Sequence, residues 1–367
     1  MKLFSREHHF DSLLLVAVLL LAGIGIIMIY STSSILAEES FQDPNFFLRR
    51  QVIAAAAGLL VMYLAMHVNY EVFSKLTLPL LILSLILLAV VLIPGISPIR
   101  GARRWLVWQG FSFQPSELAK LAMVLYLAQS LTRKQDKIRR FKEGFLPYLL
   151  VSGAMIALIF LEPDLGAALT LGLLVFVMLF AAGTRLSYLI SAVLVASPVV
   201  FYLLASKEWR WKRILAYLSP WDYAQDAGWQ LVQSFLAFGR GGIMGVGLGD
   251  GMQKLFYLPD AHTDFIFSVV GEELGLIGVV AVVLLFGILI TRGIQLSLRA
   301  ATPFGAYLAL GLMAMIALPA LINMAVVMGL LPTKGLVLPF ISYGGSSLLI
   351  NLLAAGILLN ISARSYS

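Results

Sequence analysis

The sequence predicts an all-α, polytopic integral membrane protein with about ten transmembrane helices. Hydrophobic residues make up 60% of the 367 positions and charged residues 12%, whereas about 25% of a typical soluble domain is charged. Apolar runs of about 20 residues, the length that crosses a bilayer, recur along the chain, and most charges lie between them. No internal repeat or low-complexity linker divides the sequence. We therefore expect one integral membrane domain over residues 1–367, with a long outer loop, residues 206–263, between helices seven and eight.

The first apolar run, from Leu13 to Tyr30, is too long for the core of a signal peptide, and no small-residue cleavage site follows it. It is therefore predicted to be an uncleaved helix. The ten predicted helices cover residues 11–34, 50–66, 76–94, 115–132, 145–161, 165–182, 186–205, 264–290, 302–329 and 342–361.

The charges in the loops predict the orientation. With the N-terminus inside, the short loops carry 13 Lys and Arg on the cytoplasmic side and six on the outer side, and positive residues favour the cytoplasm. Both termini are therefore predicted to be cytoplasmic. The net charge of +7 comes from loops, so no nucleic-acid partner is expected. The chain has no cysteine and its four histidines are scattered, which gives neither a disulfide framework nor metal-ligand spacing.

Arginines stand at two outer positions early in the chain. Arg49 and Arg50 open the second helix, where a snorkelling interfacial pair and a functional pair are equally good interpretations. The turn after the third helix offers Arg103 and Arg104 beside Trp105, a combination typical of an interface anchor.

Two further charged clusters follow in helices four to six. Glu117 and Lys120 are three residues apart, so they can form an ion pair on one helix face. That pair is either a structural clamp or part of a wet cavity. Between helices five and six, Glu162 and Asp164 flank Pro163 in a tight outer turn. Asp164 either caps helix six or adds negative charge to an outer vestibule.

The long outer loop contains three distinct segments. Residues 207–213 are basic and Trp-rich, which suits an anionic lipid headgroup region. Residues 230–238 are predicted to form a short amphipathic surface helix. Residues 239–251 contain seven glycines but neither a dinucleotide-binding spacing nor a flanking strand. Backbone N–H groups of such a segment can approach an anion, and plain flexibility is the alternative.

Residues 257–275 concentrate acids next to a span and are the best candidate for chemistry. Asp264 is predicted to be the first residue of helix 264–290. Small residues follow it along one face of this helix, so another helix can approach closely there. An ionisable residue there indicates function, while an N-cap is the structural alternative. Glu272 and Glu273 are expected to be buried acids paired with a cation from a neighbouring helix. His262 is interpreted as a supporting group.

Residues 329–347 contain two prolines and several glycines, which indicates a re-entrant excursion lining protein or water. Lys334 is the only charge in that segment. A lone lysine is often an interfacial anchor, but one in a re-entrant loop is expected to face a cavity.

Five motifs occur in order along nearly the whole chain: Gly101-Ala-Arg103-Arg104-Trp105, Gln114-Pro-Ser-Glu117, Glu162-Pro-Asp-Leu-Gly166, Leu258-Pro-Asp-Ala-His-Thr-Asp-Phe-Ile-Phe267 and Ile341-Ser-Tyr-Gly-Gly-Ser-Ser347. Together they resemble the SEDS family (shape, elongation, division, sporulation) of cell-wall polymerases. Residues 247–254 and 331–335 are more similar to the division-type members than to the elongation-type members. Asp260 departs from the glutamate that is usual in the division type.

The resemblance implies a peptidoglycan glycosyltransferase that polymerises lipid II into β-1,4-linked strands on the outer face of the bacterial cytoplasmic membrane during division. It implies lipid II, a class B penicillin-binding protein transpeptidase, other division-complex proteins and membrane lipids as partners. It also implies an essential Asp264, and it places Arg50, Glu117, Lys120 and Asp164 around the same cavity. We predict that His262 and Ser342 bind substrate as well.

The chemistry of the residues is consistent with such a reaction. A sugar linked to a lipid diphosphate already has a good leaving group, so its departure needs cations rather than a proton donor. A single base then suffices to deprotonate the attacking hydroxyl, and the reaction inverts the anomeric centre. Asp264 would be the base, with Lys334, Arg103, Arg104 and Arg240 as phosphate partners. No cofactor is evident, although acids near a pyrophosphate could recruit Mg²⁺ or Mn²⁺.

Three alternatives stay open at this point. A lipid II flippase also uses buried charges and discontinuous helices, but it needs them near the midplane, whereas Asp264, Asp164, Arg50 and Lys334 are predicted near the outer surface. An elongation-type polymerase would use the same site in another complex. A non-catalytic scaffold would explain the helices but not the converging charges.

Overall fold

The computed structural model describes residues 10–93, 103–108, 111–255 and 257–365. Within these residues a 3-10 turn (Gln135–Lys137) and a π-helical turn (Phe141–Phe145) join the fourth and fifth helices. The other elements are α1 (Ser12–Phe41), α2 (Phe46–His67), α3 (Glu71–Val91), β1 (Leu106–Trp108), β2 (Phe111–Phe113), α4 (Pro115–Arg133), α5 (Leu146–Leu161), α6 (Leu165–Ala181), α7 (Leu186–Ala205), α8 (Glu208–Leu218), α9 (Trp229–Gly241), α10 (Ile266–Glu273), α11 (Gly275–Arg299), α12 (Pro303–Val327) and α13 (Gly345–Ser365).

The chain is an integral membrane protein. Seven helices in the described ranges are long and apolar enough to cross a membrane, and two shorter apolar helices, α6 and most of α7, accompany them. The remaining predicted span is α4, whose 19 residues include Glu117 and Lys120. The ten predicted segments thus correspond to α1 to α7, the α10–α11 pair, α12 and α13.

The eighth predicted segment, residues 264–290, is two helices rather than one. α10 ends at Glu273 and α11 begins at Gly275, which has a φ of 65°, a conformation that glycine adopts at little cost. The glycine-rich segment, residues 239–251, lies against this break. A Cβ on Gly275 would stand 2.5 Å from the carbonyl oxygen of Ile243. The sequence prediction of a single helix was wrong because it took Gly275 as a packing residue.

The glycine-rich segment supplies the hydrogen bonds that the break removes from the helix. The N–H of Val246 donates to the carbonyl of Glu272 over 3.0 Å, and the N–H of Leu276 donates to the carbonyl of Gly242 over 2.9 Å. Backbone groups at membrane depth must be satisfied inside the protein. The break and the segment are therefore one structural unit.

Two helices and one loop form the centre of the bundle. α12 packs against α4, α6 and α11, while α13 packs against α2. The loop that joins them, residues 328–344, is called the α12–α13 loop below. It folds inward, so that Phe340 and Ile341 are buried, and Gly25 of α1 leaves room for it. The loop therefore packs into the bundle against α1, and the depth at which it lies in the membrane stays a prediction.

A short hairpin, which the sequence did not predict, precedes α4. β1 and β2 are antiparallel, with Leu106 opposite Phe113. Because antiparallel strands return the chain to its starting point, Arg104 before the hairpin and Gln114 after it reach the same neighbourhood. Residues 101 and 102 of the predicted turn, and Arg100 before them, lie outside the described residues.

Candidate active site

Asp264 lies in a tight turn directly before α10. The carbonyl of Asp260 accepts the N–H groups of Thr263 over 3.0 Å and Asp264 over 3.1 Å. Asp260 has a φ of 56°, which Asp and Asn tolerate better than most residues. α10 begins at Ile266 with Phe265 in the capping position. Asp264 is therefore not the N-cap of this helix, and the structural alternative from the sequence does not apply.

The α12–α13 loop holds Asp264 from the other side. The side-chain amide of Asn323, on α12, donates to the carbonyl of Asp264 over 2.8 Å and to the carbonyl of Leu336 over 2.5 Å. A Cβ on Gly335 would lie 2.5 Å from a carboxylate oxygen of Asp264. The absence of a side chain at Gly335 thus lets the loop approach the carboxylate.

Ser342 and His262 tie the same loop to the turn. The hydroxyl of Ser342 donates to the carbonyl of Thr263 over 2.5 Å and accepts the N–H of Leu338 over 2.8 Å. The N–H of Tyr343 donates to the carbonyl of His262 over 2.9 Å. Both predicted residues are buried, and these contacts support the turn; a direct contact with substrate stays a prediction.

Asp164 brings a second carboxylate to the site. One of its oxygens accepts the N–H of Ala167 over 3.0 Å and so caps α6, while the other accepts the side-chain amide of Gln114 over 3.1 Å. Its negative charge also reaches Asp264. The cap predicted for Asp164 is therefore present, and its charge acts on Asp264 as well, while a role in an outer vestibule stays a prediction.

The neighbouring Glu162 is fully buried. Burial and the nearby Asp164 carboxylate raise the pKa of Glu162 to about 8, against the opposing effect of Arg104. Arg104 donates to the backbone carbonyls of Glu162, over 3.3 Å, and of Pro163. Arg104 thus binds the turn between α5 and α6 through its backbone carbonyls, and its positive charge lies near the Glu162 carboxyl.

The charge balance at Asp264 suits a base that works near neutral pH. Burial raises the pKa of Asp264 to about 7, and the carboxylates of Asp260 and Asp164 act in the same direction. The guanidinium groups of Arg104 and Arg213 oppose this rise. An ordinary aspartate has a pKa of about 3.9, so this carboxyl takes up a proton far more readily than an exposed one.

Three residues at this site were not selected from the sequence. Asn323 lies in the apolar helix α12. A single amide side chain in an apolar span is a signal from which the sequence analysis could have predicted a functional residue. Arg210 and Arg213 belong to the segment that we assigned to lipid headgroups, yet the charge of Arg213 reaches Asp264 and that of Arg210 reaches Lys334. Their spacing of three residues could have indicated a common helix face.

The predicted ion pair on α4 is present. The ammonium of Lys120 lies 2.8 Å from a carboxylate oxygen of Glu117, and both side chains are buried. The pair begins one turn into the helix after Gln114, which binds Asp164. Its role towards substrate stays a prediction.

The structure places three other predicted cations in different surroundings. Arg240 is 3.9 Å from Glu272. Arg103 donates to the carbonyl of Leu92 over 3.3 Å, and Arg50 is exposed with its guanidinium 4.3 Å from the ring centre of Phe46. None of the three is among the charges that shift the pKa of Asp264 in the described structure, and their contact with substrate stays a prediction.

Glu273 is paired, as expected, although its partner comes from the outer loop rather than from a neighbouring helix. The ammonium of Lys254 lies 2.6 Å from a Glu273 oxygen, and both side chains are buried. Ser31 of α1 donates to the same carboxylate over 2.6 Å, and the N–H of Gly249 donates over 3.2 Å.

Glu272 accepts backbone N–H groups from Met252 over 2.9 Å and from Gln253 over 3.1 Å. The anions bound by the end of the glycine-rich segment are therefore the carboxylates of the protein itself. α9 packs on the predicted small-residue face of α10, where Ser234 and Ser268 are 2.8 Å apart.

The described part of the chain contains no group of three or more His, Asp and Glu side chains arranged to hold a metal ion. The divalent cation that the sequence left open stays a prediction.

The fold and site together define a class: multi-pass membrane proteins with carboxyl groups of raised pKa among cations at one end of the helix bundle. The sequence profile of the FtsW/RodA/SpoVE family, described as cell cycle protein, matches residues 11–367. The chain belongs to this family, which confirms the resemblance seen in the motifs.

Individual relatives show the same likeness. The chain is 50% identical over 357 residues to "Probable peptidoglycan glycosyltransferase FtsW" of Geobacter sulfurreducens, covering 97% of this chain and 96% of the relative. It is 42% identical to Stage V sporulation protein E of Bacillus subtilis over 97% of both chains.

Solved structures agree with the fold. One is a chain from a study of how a peptidoglycan synthase complex coordinates polymerization and crosslinking, with 31% identity, a TM-score of 0.77 and coverage of 98% of this chain and 99% of that chain. Another is the rod shape determining protein RodA of Thermus thermophilus, with 28% identity, a TM-score of 0.72 and coverage of 98% of both chains.

Proposed function

We propose that this chain is a peptidoglycan glycosyltransferase that polymerises lipid II into β-1,4-linked glycan, with Asp264 as the general base. The observation that carries the assignment is the setting of Asp264, a partly buried carboxyl whose pKa is raised to about 7 beside Arg104 and Arg213. Relatives named as peptidoglycan glycosyltransferases match the chain along almost its whole length, which supports the reaction class.

The reaction is a single displacement. The hydroxyl oxygen of the acceptor sugar attacks the anomeric carbon of the donor and forms the new glycosidic bond. The bond from that carbon to the pyrophosphate oxygen breaks at the same time, and the lipid pyrophosphate leaves with the electron pair. The hydroxyl proton passes to the Asp264 carboxylate. Because attack and departure occur on opposite faces, an α-linked donor gives a β-linked product.

Arg104 and Lys334 support the departure of the pyrophosphate. Fixed cations stabilise charge that develops in the transition state, and they do so more strongly in a site shielded from water. Arg104 is held by two backbone carbonyls, so it need not reorganise during the reaction. Asn323 of α12 and Gly335 of the α12–α13 loop position the base, since the Asn323 amide donates to the Asp264 carbonyl and Gly335 leaves room for the Asp264 carboxylate.

The test is Asp264→Asn, assayed with purified protein and lipid II by resolving the glycan products. The amide keeps the size of the side chain but accepts no proton, so we expect polymer to fall by about 10²- to 10⁴-fold or more, with an unchanged melting temperature and retained lipid II binding. Asp222→Asn, at an exposed position of the outer loop, is the matched control. Appreciable polymer from Asp264→Asn would refute the general-base role. Translocation of lipid II by a parent protein that makes no polymer would identify a flippase.

We further propose that the protein acts in the division complex of the bacterial cytoplasmic membrane, with both termini in the cytoplasm, and pairs with a class B penicillin-binding protein. Support comes from the structural likeness to a chain of a peptidoglycan synthase complex and from relatives named FtsW. The protein alone should make little polymer and its cognate partner should stimulate it strongly. Full activity of the isolated protein would contradict activation by a partner.

A further inference from the structure

α8 is the element whose sequence interpretation changed most, because one of its faces is directed at the site. Arg210, Arg213 and Tyr217 lie within about 60° of one another around the helix axis, at 100° per residue. Tyr217 donates through its hydroxyl to the carbonyl of Leu330 over 3.1 Å, which fixes this face against the α12–α13 loop.

The two arginines extend from that face over the outer ends of the neighbouring elements. The guanidinium of Arg210 lies 5.7 Å from the ring centre of Phe160 at the end of α5, and its charge reaches Lys334. The charge of Arg213 reaches Asp264, Arg104 and Asp260. Both arginines are partly buried.

The opposite face of α8 differs in chemistry. Lys212 is 3.1 Å from Glu208, and both side chains are substantially exposed. Trp209 belongs to the arginine face, with its ring centre 5.2 Å from the Arg210 guanidinium and 5.4 Å from that of Arg213, whereas Trp211 lies on the opposite face and is exposed. This outward face suits the headgroup region predicted from the sequence, so the helix carries one face for solvent and lipid and another for the site.

The inward face places like charges together. Burial lowers the pKa of Arg213, the Asp264 carboxylate opposes that change, and the Arg104 guanidinium adds to it. Burial likewise lowers the pKa of Lys334, with Asp164 opposing and Arg210 adding to the effect. The repulsion between Arg213 and Arg104 and between Arg210 and Lys334 is partly offset by the carboxylates of Asp264, Asp260 and Asp164, and a bound anion would offset it further.

We propose that Arg210 and Arg213 of α8 are binding residues for the diphosphate of the lipid-linked donor, and that α8 closes the outer side of the site above Arg104 and Lys334. This inference rests on the proposed glycosyltransferase function. Arginine is suited to the role because its planar guanidinium binds phosphate oxygens in pairs.

The experiment measures binding of undecaprenyl diphosphate and undecaprenyl monophosphate to the full-length protein in phosphatidylcholine nanodiscs. We expect the parent to prefer the diphosphate. Arg210→Gln and Arg213→Gln should each weaken diphosphate binding by about ten- to a hundredfold, with a smaller effect on the monophosphate. Lys212→Gln, on the opposite face of the same helix, is the matched control and should bind both lipids like the parent.

Two further arms separate the possible outcomes. Arg213→Lys keeps the charge and should recover part of the binding, which a purely structural role would not require. Added phosphatidylglycerol should not displace the diphosphate lipid. Unchanged diphosphate preference in both glutamine variants would overturn the inference, and so would displacement by phosphatidylglycerol, which would identify an anionic lipid patch.

Binding and polymerisation report on different claims. Asp264→Asn should bind the diphosphate like the parent while making no polymer. If the arginine variants bind normally and the parent polymerises lipid II, the inference fails and the proposed function survives. If the parent makes no polymer but loses diphosphate binding in the arginine variants, the proposed function fails and the anion site survives.

Discussion

The pKa of Asp264 is raised by carboxylates that lie both near to it and far from it in the sequence. Asp260 is four residues away and Asp164 is a hundred, yet both carboxylates raise the pKa of Asp264 in addition to the effect of burial. A base must be deprotonated to act. Activity should therefore be lost as the pH falls through the pKa of about 7, not near 4 as for an exposed aspartate.

The pH dependence can be shifted by changing a neighbour. Asp260→Asn removes one charge that raises the pKa of Asp264, while Asn keeps the positive φ at that position. The acidic limb of the rate profile should therefore move to lower pH, with polymerisation measured under saturating lipid II from pH 5 to 9. An unmoved limb would show that Asp264 is not the titrating group.

Gly335 offers a steric test of the same carboxylate. In Gly335→Ala the new Cβ would lie 2.5 Å from an Asp264 oxygen, so the carboxylate must shift. A displacement of about 1 Å at a reacting group can cost on the order of a hundredfold in rate, and we expect a loss of that size in kcat. Gly344→Ala in the same loop is the control, because its nearest side-chain neighbour would be 3.6 Å away. Equal activity of the two variants would contradict the close approach.

At the scale of elements, one buried ion pair lies beside the break between α10 and α11. Lys254 and Glu273 lie 2.6 Å apart with Ser31 bonded to both. Removing one partner leaves an uncompensated buried charge, which costs about 3–5 kcal/mol. Lys254→Gln should therefore lower the melting temperature clearly, whereas the exposed Lys137→Gln should not.

The paired change gives the complementary measurement. Lys254→Gln combined with Glu273→Gln removes both charges and should recover most of the lost thermal stability in detergent. A double variant no more stable than Lys254→Gln would show that the loss of stability does not come from an uncompensated Glu273 charge.

At the scale of the whole molecule, the arrangement of spans predicts which loops share a side of the membrane. The chain has no native cysteine, and Gln135 and Gln225 are both exposed. A membrane-impermeant thiol reagent should label Gln225→Cys from outside intact cells and Gln135→Cys only after permeabilisation. Labelling of both from one side would overturn the ten-span topology.

The sequence was sufficient where a local rule decides the structure. The spans follow from apolar length, the Asp164 cap from its place before α6, and the Glu117–Lys120 pair from helical spacing. It was insufficient where the outcome depends on distant partners. Gly275 breaks its helix because residues 239–251 supply the missing hydrogen bonds. The direction of Arg213 was not predictable because it depends on how α8 rotates against the α12–α13 loop.

The α10–α11 break also has a consequence for the order in which the chain is made. Ser31, residues 239–251 and Lys254, which hold the break, all precede Glu273 in the sequence. During synthesis from the N-terminus, each of these groups has left the ribosome before the interrupted span emerges. The backbone groups of the break thus emerge after the partners that bind them in the folded protein, so these partners are available when the interrupted span enters the bilayer.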